Sequence, residues 1–349
     1  MQTLLDTLNK IGKCPRVHQA PDGSRILILP YGGRVLGLFA PHSEENFYWT
    51  HPALESPESA TEFYNAQQWH NSGGDRTWLA PEVDFFFPNY PDKNVYRPPR
   101  ELDPGNYQII QNSQREHLVN RATCVLSRLR RPVEVEIAKS FGPAPNPLRH
   151  ERALEHLANL EYAGYTQYTS LELLAGTRNG DAQVGLWNLL QMPHGGELLI
   201  ATHVKTEPKV VFGALDPHDL RISDHLVRYR MRASGEQKIG IRAVAAAGRV
   251  GYRYPADGGR WALVIRNVFV NPSGTYADVP WDDPEDLGYA IQACNVNSGL
   301  GSFGELEYHV PAIGRGTGRL RCEDVSQVWA FRGSTEEIDL VARSLLGLQ

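Results

Sequence analysis

The sequence lacks an apolar stretch long enough to span a bilayer. Its first residues carry no signal-type apolar core, because Gln2, Thr3, Asp6 and Thr7 interrupt Leu4, Leu5 and Leu8. A cytoplasmic protein with no membrane partner is therefore expected. Cysteine is scarce and scattered. Cys14, Cys124, Cys294 and Cys322 form no CxxC pair, which argues against a metal knuckle or a redox motif and leaves reduced, partly buried thiols as the expectation. Excess positive charge is also missing. With a net charge of −5 and a single basic cluster, Arg128-Leu129-Arg130-Arg131, read as a solvated strand end, nucleic acid is not an expected partner. No GxSxG elbow or Walker loop occurs, which leaves serine hydrolases and P-loop enzymes without support.

Two near-motifs fail on context. Gly299-Leu300-Gly301-Ser302-Phe303-Gly304 matches GxGxxG, but a strand follows where a dinucleotide fold needs a helix, so a flexible loop beside a cleft is expected. His150-Glu151 and Glu155-His156 resemble a zinc helix. Their histidines, however, lie about 240° apart around a helix and on different faces. No metal and no cofactor are expected.

What the chain does contain is β-type punctuation. Its 349 residues, 41% hydrophobic and 21% charged, suit one large β architecture, taken here as a single domain over 1–349 with no linker and no internal repeat. Residues 25–30 and 34–40 flank Tyr31-Gly32-Gly33 as a glycine-turn hairpin. Further β-rich segments are read at 107–111, 133–138, 184–191, 197–203, 209–212, 261–270 and 325–331. Most of the 32 glycines and 24 prolines fall between such segments, which favours an antiparallel sandwich over repeated βαβ units. Two helices frame it. Leu4, Leu5, Leu8 and Ile11 predict one within 1–13; Ser334 with Glu337 forms a capping box for another over 334–348, expected to plug an edge or open end of the sheets.

The most chemically suggestive run is Glu305-Leu306-Glu307-Tyr308-His309-Val310-Pro311. Read as a strand, it puts Glu305, Glu307 and His309 on one face and Leu306, Tyr308 and Val310 on the other. Carboxylate and imidazole together can act as base and acid near neutral pH, although a half-buried strand with a solvated polar face has the same spacing. A second cluster runs from Trp69 to Glu82 around Gly73-Gly74. It gathers His70, Arg76, Trp78 and Glu82, the indole, donor and carboxylate mixture that sugar sites use. The same composition also suits a loop whose tryptophans fill the core and whose Arg76 pairs with Asp75 or Glu82. A third candidate is the strand end from Trp187 to Gly196, where His194 sits in a polar turn that would ordinarily leave it exposed.

Gly32-Gly33-Arg34-Val35-Leu36-Gly37-Leu38, Asn46-Phe47-Tyr48-Trp49, the Gly73-Gly74 loop with Trp78 and Pro81, Trp187-Asn188-Leu189 and the late Leu306-Glu307 with Pro311 together resemble the galactose mutarotase-like superfamily, from about Gly32 to Phe331. That group includes aldose 1-epimerases and hexose-phosphate epimerases. The resemblance implies a β-supersandwich with a cleft for a monosaccharide or a sugar end group. It also implies that a late glutamate, matched by Glu307, takes the anomeric proton while a histidine protonates the ring oxygen. His70 and Arg76 match the neighbours of the family's glycine-pair loop. The chain departs from the pattern where the acid histidine should precede Trp187-Asn188-Leu189, since Val184-Gly185-Leu186 stand there. The acid is then one of His194, His203, His309 or His70. The leading reading is a carbohydrate-binding protein with epimerase chemistry, Glu307 and His194 being catalytic and His70, Arg76, Trp78, Glu82, Glu305 and His309 contacting the sugar. A noncatalytic sugar-binding protein is the rival. A glycoside hydrolase or lyase, needing a second carboxylate such as Asp84 or Glu82, is the other.

Overall fold

The computed structural model describes residues 1–111, 116–151, 157, 160–177 and 181–348. Glu155 and His156 of the zinc-helix look-alike lie outside them. The described residues form two large antiparallel sheets packed face to face, the all-β sandwich expected. The first runs, in spatial order, through Arg16–Gln19, Arg25–Leu29, Arg34–Phe39, Asp75–Ala80, Gln183–Pro193, Gly301–His309, Ile291–Ser298, Gly235–Ile241 and Lys209–Phe212. The second runs through Leu220–Ile222, Leu226–Arg230, Glu197–Thr202, Ala246–Pro255, Trp261–Asn267, Arg321–Gly333, Glu161–Leu173, Arg131–Pro143, Glu116–Leu126 and Gln108–Gln111.

Alternation decides which side chains meet between the sheets. In the first hairpin Ile26, Ile28, Val35 and Leu38 enter the common core, while Leu27, Leu29, Leu36 and Phe39 point outward and are covered by Leu8 and its helix Gln2–Lys10. The tight Tyr31-Gly32-Gly33 connection uses φ of +86° and +56° at its glycines, as a turn of this kind demands. The helix Thr335–Leu346 has the expected capping box and a left-handed Gly347 behind it. It does not plug a sheet edge. Ile338, Val341, Ala342 and Leu345 lie on the outer face of the second sheet, against Leu199, Leu263, Ile265, Trp329 and Phe331, because its apolar stripe is wide enough to cover a face.

Two further expectations change. Asp75–Ala80 is a fully buried strand and no loop; its charges are neutralised by partners remote in sequence, Arg266 for Asp75 and Glu305 for Arg76. Gly301 to Gly304 belong to the strand Gly301–His309, so only the Gly299-Leu300 turn remains of the expected loop. The basic cluster is exposed between two strands, as expected, while Arg128 meets Asp84 through its backbone N–H and two guanidinium bonds and Arg130 donates to the carbonyls of Pro88 and Tyr90. All four cysteines are free, and among the described residues no helix is long and apolar enough to cross a membrane.

Candidate active site

Five adjacent strands of the first sheet present one continuous outer face. Pairing sets Arg76 beside Leu189 and Leu189 beside Glu307; it sets Trp78 beside Trp187 and Trp187 beside His309; and it sets Glu305 beside Cys294 and Cys294 beside Lys238. Glu305, Glu307 and His309 thus share a face as alternation predicts, while Leu306 and Tyr308 face the second sheet. There Tyr308 donates to Asp324 at 2.6 Å. Loops roof the outer face with Trp69, Phe87, Tyr96, Trp281 and Leu300, enclosing a cleft of about 390 Å³. Its rim is aromatic and its floor is charged.

The floor is built from two linked ion clusters. Arg76 meets Glu305 Oε1 at 2.8 Å, and Gln191 donates to the same oxygen at 3.0 Å. The guanidinium lies over Trp78, 4.1 Å from its ring centre, so Arg76 covers one side of the expected sugar platform. Trp78 itself is 3% exposed and donates its indole N–H to Asp103 at 2.9 Å. Asp103 pairs with buried Arg34 at 2.6 Å, and Arg34 also donates to the Gly73 carbonyl at 3.1 Å. The glycine pair is obligatory here: both have positive φ, and a Cβ on Gly74 would stand 2.4 Å from the Val35 carbonyl oxygen. The first hairpin therefore fixes the strand that carries Arg76 and Trp78.

Lys238 centres the second cluster. Its Nζ is 3.1 Å from Glu307 Oε2, 3.4 Å from Glu82 Oε2 and 3.9 Å from Asp278 Oδ2, and it sits 4.3 Å above the Trp187 ring. Trp187 donates its indole N–H to Glu307 at 2.8 Å; Trp281 and Tyr96 donate to Glu82, each at 2.9 Å. Burial pushes the Glu307 carboxyl up to about 8, with Glu305 and Glu82 adding to the rise against the pull of Lys238. Burial raises Glu82 as well. Burial opposes charge on Lys238, but Glu307, Glu82 and Asp278 together outweigh it and hold the amine protonated. The cluster is thus one ammonium among three carboxyl groups, with a proton readily held on a glutamate.

Of the residues singled out from the sequence, Arg76, Trp78, Glu82, Glu305 and Glu307 line this cleft; His70, His194 and His309 do not. His70 is engaged by Tyr31 at 2.7 Å and by the Ala66 carbonyl at 3.0 Å, inside the aromatic packing of Phe63 and Tyr64. His194 meets Asn295 Oδ1 at 3.1 Å beyond the end of its strand. His309 lies flat on Trp187, at 5.6 Å and 19°, fully buried, and burial followed by the charge of Lys238 keeps it neutral. His203 is exposed on the second sheet's side. Asp84 is held by Arg128 and lines a separate cavity of about 720 Å³, whose Arg242 and Asp286 likewise pair with each other. Lys238, Asp278 and Trp281 are the site groups that sequence reasoning missed, and Trp187 was noticed only as the start of a strand-end motif. The one faint signal was a lysine in the half-apolar run Gln237-Lys238-Ile239-Gly240-Ile241.

Cys294, Glu305 and Glu307 bring ligand-type atoms within 4.8 Å of one another. They do not fit a metal ion, because Arg76 and Lys238 already neutralise the two carboxylates, and burial with Glu307 and Glu305 nearby pushes the Cys294 thiol far up, away from the thiolate a metal needs.

Residues 3–349 match DUF6786, a family of unknown function. The chain belongs to this family. No curated protein matches the DUF6786 chain. Among solved structures it is similar to a galactose mutarotase related enzyme from Lactobacillus acidophilus, at 10% identity and a TM-score of 0.44, with 92% of this chain and 98% of that one covered. It is also similar to a galactose 1-epimerase from Lactobacillus acidophilus NCFM, at 7% identity and a TM-score of 0.43, covering 92% and 95%. The chemistry of the cleft rests on its own side chains.

Proposed function

We propose that the cleft binds a neutral monosaccharide or sugar end group and that Glu307 takes the anomeric proton in a cofactor-independent mutarotation. The observation that carries this reading is Glu307 itself, a buried carboxylate of raised basicity on a charged floor beneath an aromatic rim. Arg76 Nε and Nη1 and Trp69 Nε1 are buried beside it and meet no acceptor among the described residues. Sugar hydroxyls supply the acceptors that such donors require. Arg76 and Lys238 are already paired with Glu305, Glu307 and Glu82, so the floor offers no uncompensated cation to a phosphate or uronate group.

In the reaction, the anomeric O–H proton passes to Glu307, the bond from C1 to the ring oxygen breaks, and the open chain rotates about C1–C2 before reclosing. A noncatalytic sugar-binding role draws on a different observation, that Glu307 Oε2 is already held by Trp187 and Lys238. Titration calorimetry over neutral, phosphorylated and acidic sugars, followed by anomer-exchange NMR on each binder, separates the two. Neutral aldoses should bind at least about tenfold more tightly than their phosphates and exchange anomers faster than in buffer. Preferred binding of phosphates would refute the neutral-sugar reading, and binding without exchange would leave only the binding role.

A further inference from the structure

Ring opening needs a proton delivered to the ring oxygen as well as one removed from the anomeric hydroxyl, and no described histidine lines the cleft. We propose that Lys238 is that donor, an inference that rests on the mutarotase reading above. Lys238 lies on the cleft floor, 3.1 Å from the Glu307 oxygen that Trp187 also holds. An ammonium carries three N–H donors. Glu307 and Glu82 engage two, and Asp278, at 3.9 Å, is beyond hydrogen-bond reach, so one donor remains for a substrate oxygen. Three other groups nearby serve poorly. The Arg76 guanidinium does not release its proton, the Cys294 thiol is made still less acidic by burial, and the Tyr96 hydroxyl is committed to Glu82.

The arrangement also times the transfer. Lys238 is held protonated chiefly by Glu307, against its own burial. When Glu307 accepts the anomeric proton, that negative charge disappears and burial drives the ammonium toward release. The electron pair of the anomeric O–H bond becomes the second bond of the C1 carbonyl, the pair from the C1–ring oxygen bond moves to the ring oxygen, and that oxygen takes the proton from Lys238 Nζ. After rotation the ring hydroxyl returns its proton to Lys238 while Glu307 returns its own to the new anomeric oxygen, so both groups end as they began.

Lys238→Arg keeps the charge among the carboxylates but removes a dissociable proton. It should bind neutral aldoses within a few-fold of wild type and lose at least about a hundredfold in anomer exchange, the usual worth of a positioned acid. Should the guanidinium not be accommodated, Lys238→Ala with added alkylammonium ions reads the same property: exchange should recover with amine concentration, and the recovered rate should depend on amine pKa. A Lys238→Arg protein exchanging within about threefold of wild type, or an alanine variant indifferent to amines, would overturn the assignment while Glu307 stands. If the wild-type protein exchanges no aldose that it binds, the mutarotase reading falls and the Lys238 role falls with it.

Discussion

Trp187 reaches diagonally across the sheet to hold Glu307: it stands directly opposite His309 on the neighbouring strand, yet donates its indole N–H to Glu307 Oε2 at 2.8 Å. The same ring stacks on His309 and carries Lys238 on its face. One indole thus orients both the carboxylate and the ammonium of the proposed proton exchange. Trp187→Phe keeps an aromatic ring and deletes the donor. Losing a bond to the ionised carboxylate should raise the Glu307 pKa further, so the rise of exchange rate with pH should move to more alkaline values, with the rate at pH 7 falling several-fold. An unmoved pH profile in a folded variant would show that the indole N–H does not tune Glu307.

The raised Glu307 pKa makes its own predictions. The free protein must lose a proton from Glu307 to act as base, so kcat/KM for exchange should climb with pH through about 8 and then level. In stability the sign is opposite. A carboxyl that titrates near 8 when folded and near 4.5 when unfolded gives the folded state the greater number of bound protons between those values, and its contribution to stability falls as pH rises across that window. Glu307→Gln removes this liability. Denaturant titrations at pH 5.5 and 8.5 should show the variant gaining on wild type at the higher pH, and a difference that shrinks there would contradict the shift.

Trp78 is expected to matter more for stability than for stacking on sugar. It is nearly inaccessible, lies under Arg76 and packs against Trp69, Phe86 and Trp187. Trp78→Ala should cost about 3–5 kcal/mol, as large-to-small changes of buried aromatics do. Urea denaturation measures it. A loss below about 1 kcal/mol, the level of a surface change, would mean that the indole is not locked as described.

Gly74→Ala tests the turn that launches the Arg76 strand. The left-handed backbone alone costs roughly 1–2 kcal/mol for an L-residue. The approach of the new Cβ to the Val35 carbonyl adds to this, because backbone cannot swing aside as a side chain can. Thermal denaturation should show a clearly lowered midpoint, whereas an unchanged midpoint would indicate that the turn relaxes freely.

What was legible in the sequence was whatever local pattern decides. Alternation put Glu305 and Glu307 on one face, Gly32-Gly33 marked the first hairpin, and Ser334 with Glu337 marked the start of the last helix. The strand Asp75–Ala80 was not legible, because it is buried on both faces and carries charges whose partners, Arg266 and Glu305, come from distant segments. Lys238 was missed for the same reason. Its meaning lies in three carboxylates supplied by a short helix, a loop and another strand. The histidines show the opposite case: residue type nominates His70 and His194, while packing places both outside this cleft.

The most direct test of Glu307 as the base is anomer-exchange NMR of wild type and Glu307→Gln on a neutral aldose that both bind. Glutamine keeps the shape and can still meet Trp187 and Lys238, but it takes no proton. Exchange should fall by at least about a hundredfold with affinity within a few-fold, and Glu305→Gln, which loosens Arg76 and leaves the Glu307 carboxyl in place, should lose less. A Glu307→Gln protein that exchanges anomers as fast as wild type would contradict the account.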